Sequence, residues 1–241
     1  RLGLFFDDMK WTADAFAGQI QALQVAQSLT KAKILFCPMY YSDDPILDKV
    51  FGARPVDYVA KIGEHVPAEI EIAWTGPKVI SSEISADHLQ RTAQVLRRSP
   101  FICDNFFAND GPKQCYFLKI KPAVGRSPEA LSEASGWSFN PMNQCVLSQI
   151  VVLSAKLQLK SGIEPQAALE RAAHEVCGPD LGDWIIENAA DFTEQGLSPL
   201  TEDQKGTFLR ELAAFDGHPA ATELSRWLRG EFVVGSECLT D

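Results

Sequence analysis

The first 103 residues alternate between short apolar runs and helix-length stretches, and that alternation restricts the chain more than any other feature. Apolar runs stand at 2–6, 34–37, 70–74 and 100–103. Between them, 13–29, 58–65 and 86–98 have helical composition or spacing. A run that is apolar on both faces suits a buried strand of a parallel sheet, because helices cover both of its sides. Strand and helix in strict alternation predict a parallel α/β sheet. The stops agree: Pro38 ends the second run, Gly76-Pro77 closes the third, and Arg97 and Arg98 stand at the C-terminal end of the third helix, where cations oppose the helix dipole.

In each unit the polar residues come just after the strand: Asp7-Asp8, Tyr40-Tyr41, Trp74-Thr75 and Asp104-Asn105. Parallel α/β folds carry their sites at the carboxyl ends of the strands. Four such ends in succession suit a barrel better than a crevice between two halves. From about residue 147 the texture changes. Helices are expected at 147–159, 165–176, 181–192, 202–215 and 220–228, punctuated by Gly162, Gly178, Gly196, Gly217 and Gly230. The chain therefore divides into an α/β part, 1–146, and an all-α helical module, 147–241. In that module Trp184, Ile185, Phe192, Leu209, Leu212, Phe215, Leu224 and Trp227 recur at helical spacing. They read as its core, or else as an interface for a homodimer.

A net charge of -10 argues against nucleic acid, whose phosphates need a basic face. No apolar run is long enough to span a bilayer, so no membrane partner is expected. Six cysteines, Cys37, Cys103, Cys115, Cys145, Cys177 and Cys238, are scattered without a CxxC or a close Cys/His pairing. They carry no zinc signature, and reduced thiols in a cytoplasmic protein are the simplest account. No metal and no cofactor is expected. The chain opens with Arg1 and runs at once into a strand, so its start says nothing about a leader.

Adjacent aspartates inside a strand point to opposite faces. At a strand end the chain can turn and bring Asp7 and Asp8 into one pocket. Two close carboxylates cannot both ionise easily, so one becomes a proton donor while the other stays an anion. Asp8 before a helix serves equally well as an N-cap, and the pair alone leaves both readings open. Tyr41 reads as a pocket hydroxyl or a core tyrosine; Asn140, before Pro141, as a ligand or a turn residue. Trp74 and Cys37 read as packing. His65, His88, His174 and His218 fall away from the strand ends. Asp43-Asp44 reads as a loop and helix start, with the cleft wall as its other possible place.

Leu4-Phe5-Phe6-Asp7-Asp8 resembles the catalytic strand end of glycoside hydrolase family 84, the O-GlcNAcase type of β-N-acetylglucosaminidase. Phe36-Cys37-Pro38 with Tyr41, Trp74 to Val79 with Ser82-Glu83-Ile84, Asp104-Asn105 with Ala108-Asn109-Asp110, Gly125-Arg126 and Asn140-Pro141 resemble its later landmarks, in order, over about two thirds of the chain. Tyr40 to Pro45 is similar to the bacterial members. The resemblance implies strands four to eight of a (β/α)8 TIM-type barrel followed by a helical bundle. It implies a retaining exo-β-N-acetylglucosaminidase acting on a GlcNAc-bearing protein or glycan, in which the sugar's own acetamide attacks to form an oxazoline. Asp7 would polarise the acetamide and Asp8 would be the general acid and base. Tyr41 would bond near the reacting centre, and Asn105 would support the acetamide-orienting group. Asp110 would accept from the sugar 4- and 6-hydroxyls, and Asn140 would bind a ring hydroxyl.

Three departures stand out. Cys103 occupies a position where the family usually has Trp, and Gly111 replaces a bulky residue common in eukaryotic members. The opening strands, with their Gly-Phe-Tyr-Gly motif and sugar-binding lysine, are absent. They are expected elsewhere on the same polypeptide or on an associated chain, since a barrel open along two edges exposes unpaired strands. Two further readings follow. One is a GlcNAc-binding or regulatory protein that kept the pocket and lost turnover, which Cys103 and the missing strands favour. The other is a metal-dependent barrel hydrolase, which would need histidines at the strand ends.

Overall fold

In the computed structural model, which describes residues 1–235, five strands lie side by side in chain order, all parallel. They are β1 (Leu2–Phe5), β2 (Ile34–Cys37), β3 (Glu71–Trp74), β4 (Phe101–Asp104) and β5 (Gly136–Phe139). Helix α1 (Ala15–Leu29) joins β1 to β2; α2 (Ile46–Phe51) and α3 (Tyr58–His65) join β2 to β3. Helix α4 (Ala86–Leu96) precedes β4, and α5 (Pro128–Glu133) precedes β5. The register sets Phe5 beside Cys37, Phe36 beside Ile72, Trp74 beside Ile102 and Asp104 beside Phe139, so the carboxyl ends form one continuous edge. The parallel α/β sheet expected from the alternation is the fold of this region.

Three elements escaped the periodicity. Helices α2 and α5 have only six residues each, too few to show a helical repeat. The Gly-Trp-Ser-Phe of β5 is recruited by pairing with β4 rather than by its own propensity. The expectation that residues 2–6 form a strand buried on both faces needs correcting. β1 is the edge of the five-stranded order, leaving Leu2 37% and Phe5 55% exposed. Beside it runs an apolar groove of about 540 Å³ lined by Leu2, Leu4, Val25 and Leu29.

Backbone packing divides the chain into two compact units, one of residues 1–105 with 125–139, the other of 106–124 with 140–235. The first buries an aromatic and aliphatic core under β2 and β3, with the Tyr58 ring 5.0 Å from Tyr40 and 5.6 Å from Trp11. Tyr58 and Gln19 meet the chain just past β2, where both accept from the Met39 N–H at 3.1 Å. Trp74 is packing, as expected. It lies with Ile84, Leu89 and Ile102, and its indole N–H donates to His88 Nε2 at 3.2 Å.

The second unit contains α6 (Cys145–Ser161), α7 (Pro165–Cys177), α8 (Pro179–Ala190), α9 (Glu202–Leu212) and α10 (Pro219–Leu228). Pro165, Pro179 and Pro219 each sit in a first turn, where a missing N–H costs nothing. Ile185, Phe192, Leu212, Leu224 and Trp227 are buried, and Trp184, Leu209 and Phe215 are half-buried. They pack this unit's core. The Phe192 ring lies 5.9, 5.2 and 5.6 Å from those of Trp184, Phe208 and Trp227. A single π-helical turn, Asp191–Gln195, carries Phe192. The Glu223 carboxylate of α10 accepts from the Val146 and Leu147 N–H groups, capping α6 from another helix.

Cys37, Cys103, Cys115, Cys145 and Cys177 are free thiols, and Cys238 lies outside the described residues. Among the described residues no helix is long and apolar enough to cross a membrane.

Candidate active site at the carboxyl edge of the sheet

Asp7 and Asp8 leave β1 directly. The Phe6 N–H still donates to Cys37 O at 3.0 Å, so the strand is held to its last residue before the pair. Asp8 then takes a φ of 59°, in the left-handed region. That conformation costs a residue with a side chain about 1–2 kcal/mol, although Asp tolerates it better than most. It breaks the strand's alternation at the point where alternation would have sent the two carboxylates to opposite faces. Asp8 is not a helix cap: α1 starts at Ala15, with Asp14 at its boundary. Both carboxylates are half-buried. Burial first, and the Asp8 charge second, raise the Asp7 carboxyl above its ordinary value, against a backbone hydrogen bond that lowers it.

Cys37 and Cys103, from β2 and β4, lie near the pair. Burial raises the Cys37 thiol well above its usual range, and the charges of Asp7, Cys103 and Asp8 add to that. Burial also raises Cys103, with Asp7 and Asp104 contributing, while a hydrogen bond with Ser138 opposes it. Both shifts disfavour the thiolate, the form in which a cysteine attacks.

Tyr41 follows β2 and is buried, and its carbonyl accepts from the Thr75 N–H at 2.9 Å. Tyr40, its neighbour, donates its hydroxyl to Gly52 O at 2.7 Å. Asn105 follows β4 and donates its carboxamide N–H to Val79 O at 2.9 Å. Asp7, Asp8, Tyr41 and Asn105 thus share the carboxyl edge of one sheet. Asp110 and Asn140 belong to the helical unit, and both are exposed there. Asn109 beside Asp110 is buried: it donates to Gln144 Oε1 at 2.8 Å and accepts from the Asn143 N–H at 2.8 Å, which fixes the backbone that presents Asp110.

Asp104 has another job. Its carboxylate pairs with Arg126 through two charge-assisted hydrogen bonds, 2.8 and 2.7 Å, and accepts from the Trp137 indole N–H at 3.1 Å. Both charged side chains are fully buried. Arg126 also donates to the carbonyls of Ser81 and Ser82 at 2.7 and 2.8 Å. Gly125 allows that approach: it sits at φ 71°, and a Cβ there would collide with Ser82 O. This anchor ties the chain after β3 to the end of β4. Sequence reasoning placed both residues among the landmarks without a role, and no local signal pairs residues 22 positions apart.

A parallel α/β sheet with two coupled carboxylates at its carboxyl edge can do acid–base chemistry on a bound substrate. Among the described residues no group of three or more His, Cys, Asp or Glu side chains could hold a metal. Comparison with known proteins narrows the class. Residues 5–189 match the model of a family described as beta-N-acetylglucosaminidase. Over 107 residues, 44% of this chain, the sequence is 36% identical to the protein O-GlcNAcases of Rattus norvegicus and Mus musculus. An O-GlcNAc hydrolase mutant of Thermobaculum terrenum has a similar structure, with a TM-score of 0.67 and 26% identity over 95% of this chain. The chain spans 11% of the two curated relatives and 51% of the solved one. The family and these relatives are glycoside hydrolases. The chain belongs to the β-N-acetylglucosaminidase family, glycoside hydrolase family 84.

Proposed function

We propose that the polypeptide carrying this chain is a retaining exo-β-N-acetylglucosaminidase. It removes terminal β-linked GlcNAc, from protein or from small glycans, through an oxazoline formed by the substrate's own acetamide. The observation that carries this is the Asp7-Asp8 pair, with Asp8 in a left-handed backbone and the Asp7 carboxyl raised by burial and by its neighbour. A raised carboxyl is a more basic carboxylate once ionised. It therefore pulls harder on the acetamide N–H, which strengthens the acetamide oxygen as a nucleophile. Substrate-assisted hydrolysis needs no enzyme nucleophile, so two carboxylates suffice. Asp8 protonates the departing oxygen and then activates water. Tyr41 bonds near the reacting centre and Asn105 supports the acetamide-orienting group. Asp110 takes the sugar 4- and 6-hydroxyls, and Asn140 a ring hydroxyl.

The five strands serve as strands four to eight of a (β/α)8 barrel. The exposed Phe5 and the groove beside β1 support this, because another strand and helix on that edge would cover them. They would come from the same polypeptide or an associated chain. Residues 2–6, apolar at every second position on both faces, are then a buried strand left uncovered here.

The test uses the complete polypeptide and separates the two aspartates by leaving group. Asp8→Asn should slow alkyl- or serine-linked substrates by about two to four orders of magnitude. A nitrophenyl N-acetyl-β-glucosaminide, whose nitrophenolate leaves without protonation, should suffer much less, and azide should partly restore its turnover. Asp7→Asn should slow both substrates alike, with no azide rescue. Equal leaving-group dependence in the two variants would overturn the division of roles. If the unsubstituted protein bound GlcNAc but released no nitrophenol from the nitrophenyl glycoside, a sugar-binding protein would be favoured instead.

A further inference from the structure

We propose that Asp44 is a positioning residue for the Asn105 carboxamide, acting through the main chain of Val79; this rests on the role given above to Asn105. Asp44 lies in the loop after β2, two residues before α2, and its Oδ1 accepts from the Ile46 N–H at 3.1 Å. Holding that first helical N–H needs only the one oxygen. The second, Oδ2, reaches across to the loop after β3 and accepts from the Val79 N–H at 3.1 Å. Val79 O in turn accepts from Asn105 Nδ2 at 2.9 Å. One residue of the third loop is thus gripped at its N–H by the second strand end and at its carbonyl by the fourth.

The link is stiff at each step. Asp44 is held by its own N–H, which donates to Ser42 Oγ at 3.2 Å, and by Lys78 Nζ at 3.6 Å from Oδ1. Its side chain is only 14% exposed. The turn around Val79 is knitted internally: Thr75 Oγ1 and Ser81 Oγ both donate to Lys78 O at 3.0 Å, and the Lys78 N–H donates to Ser81 Oγ at 3.1 Å. A turn this well bonded moves as a body. Where Val79 O sits is therefore decided by what holds the turn from outside, and Asp44 is one such hold. The Val79 carbonyl in turn dictates which end of the Asn105 carboxamide points at the loop, since a carbonyl accepts only the NH2 end.

Asp44→Ser is the informative variant, because serine keeps an oxygen able to accept from the Ile46 N–H and is too short to reach Val79. In the complete polypeptide its kcat on a nitrophenyl N-acetyl-β-glucosaminide should fall by about tenfold, roughly the worth of one hydrogen bond. KM should change less. In nitrogen-15 spectra, the side-chain amide signals of Asn105, identified by their loss in Asn105→Ala, should shift. Asp44→Ser combined with Asn105→Ala should be no slower than Asn105→Ala alone, as two residues acting through one group are non-additive. Multiplying losses, or unmoved Asn105 signals, would overturn the proposal. If Asn105→Ala alone keeps full activity, the reading of Asn105 fails, and the amide signals still decide whether Asp44 holds it. Should Asp44→Ser not fold, Asp44→Asn keeps the shape and one acceptor, and is judged by the same signals.

Discussion

The two compact units of this chain are held by different means. The α/β unit places charge and hydrogen bonds at its strand ends: the buried Asp104–Arg126 pair, the Ser81 and Ser82 carbonyls, and the Asp44, Val79 and Asn105 chain. The helical unit relies on Phe192 among aromatic rings and on caps at helix ends. The difference follows from what each element leaves unsatisfied. A strand end opens into irregular loops whose backbone groups need side-chain partners. A helix satisfies its own backbone except in its first and last turns. Polar side chains thus gather where the loops are, and there the chemistry has its material.

Breaking the charge anchor is the severest way to test this contrast. Arg126→Ala strands a fully buried carboxylate and should cost about 3–5 kcal/mol, read by urea melting of the chain. Asp104→Leu with Arg126→Met should recover most of that loss, because a matched apolar pair leaves no charge unpaired. A double variant as unstable as the single one would mean that the carbonyl contacts of Arg126, not the pair, hold the loop. In the helical unit the nearest equivalent is Glu223. Glu223→Ala uncaps α6 and should cost about 1–2 kcal/mol in the same measurement. Thr201→Ala removes a capping box on α9 and should cost about 1 kcal/mol, with Thr201→Ser close to neutral.

The smallest expected effect concerns Asp7, and its sign is opposite to the usual carboxylate. Because folding raises its pKa, the folded state holds a proton that the unfolded state gives up above 3.8. Asp7 therefore favours the folded state at low pH, and that contribution fades as pH rises through its folded pKa. Asp7→Asn should raise the melting temperature at pH 7, and the gain should vanish below about pH 4. A gain independent of pH would mean that burial and the neighbouring charge do not act on Asp7 as described.

Much of the parallel sheet was readable from runs of apolar residues, because burial imposes a pattern that survives in one dimension. β2 at Ile34–Cys37 and α3 at Tyr58–His65 stand where that pattern puts them. The short elements β5, α2 and α5 were not readable, since four to six residues carry no repeat. Of the candidate residues, Asp7 and Asp8 stood out by type and place alone. Asp44 looked like an ordinary helix start, and one of its two oxygens does hold the first N–H of α2 from the loop before it.

By itself, then, the sequence determined the class of fold, the edge of the sheet that carries the polar residues, and the family, because hydrophobic periodicity and motif order are linear properties. Tertiary structure alone decided that Asp104 is an anchor for Arg126, that Asp8 turns left-handed, and that Glu223 caps a helix 77 residues away. Each of these depends on a partner or a backbone angle that packing sets. A charge's role follows from what stands within about 3 Å of it, and distance along the chain does not record that.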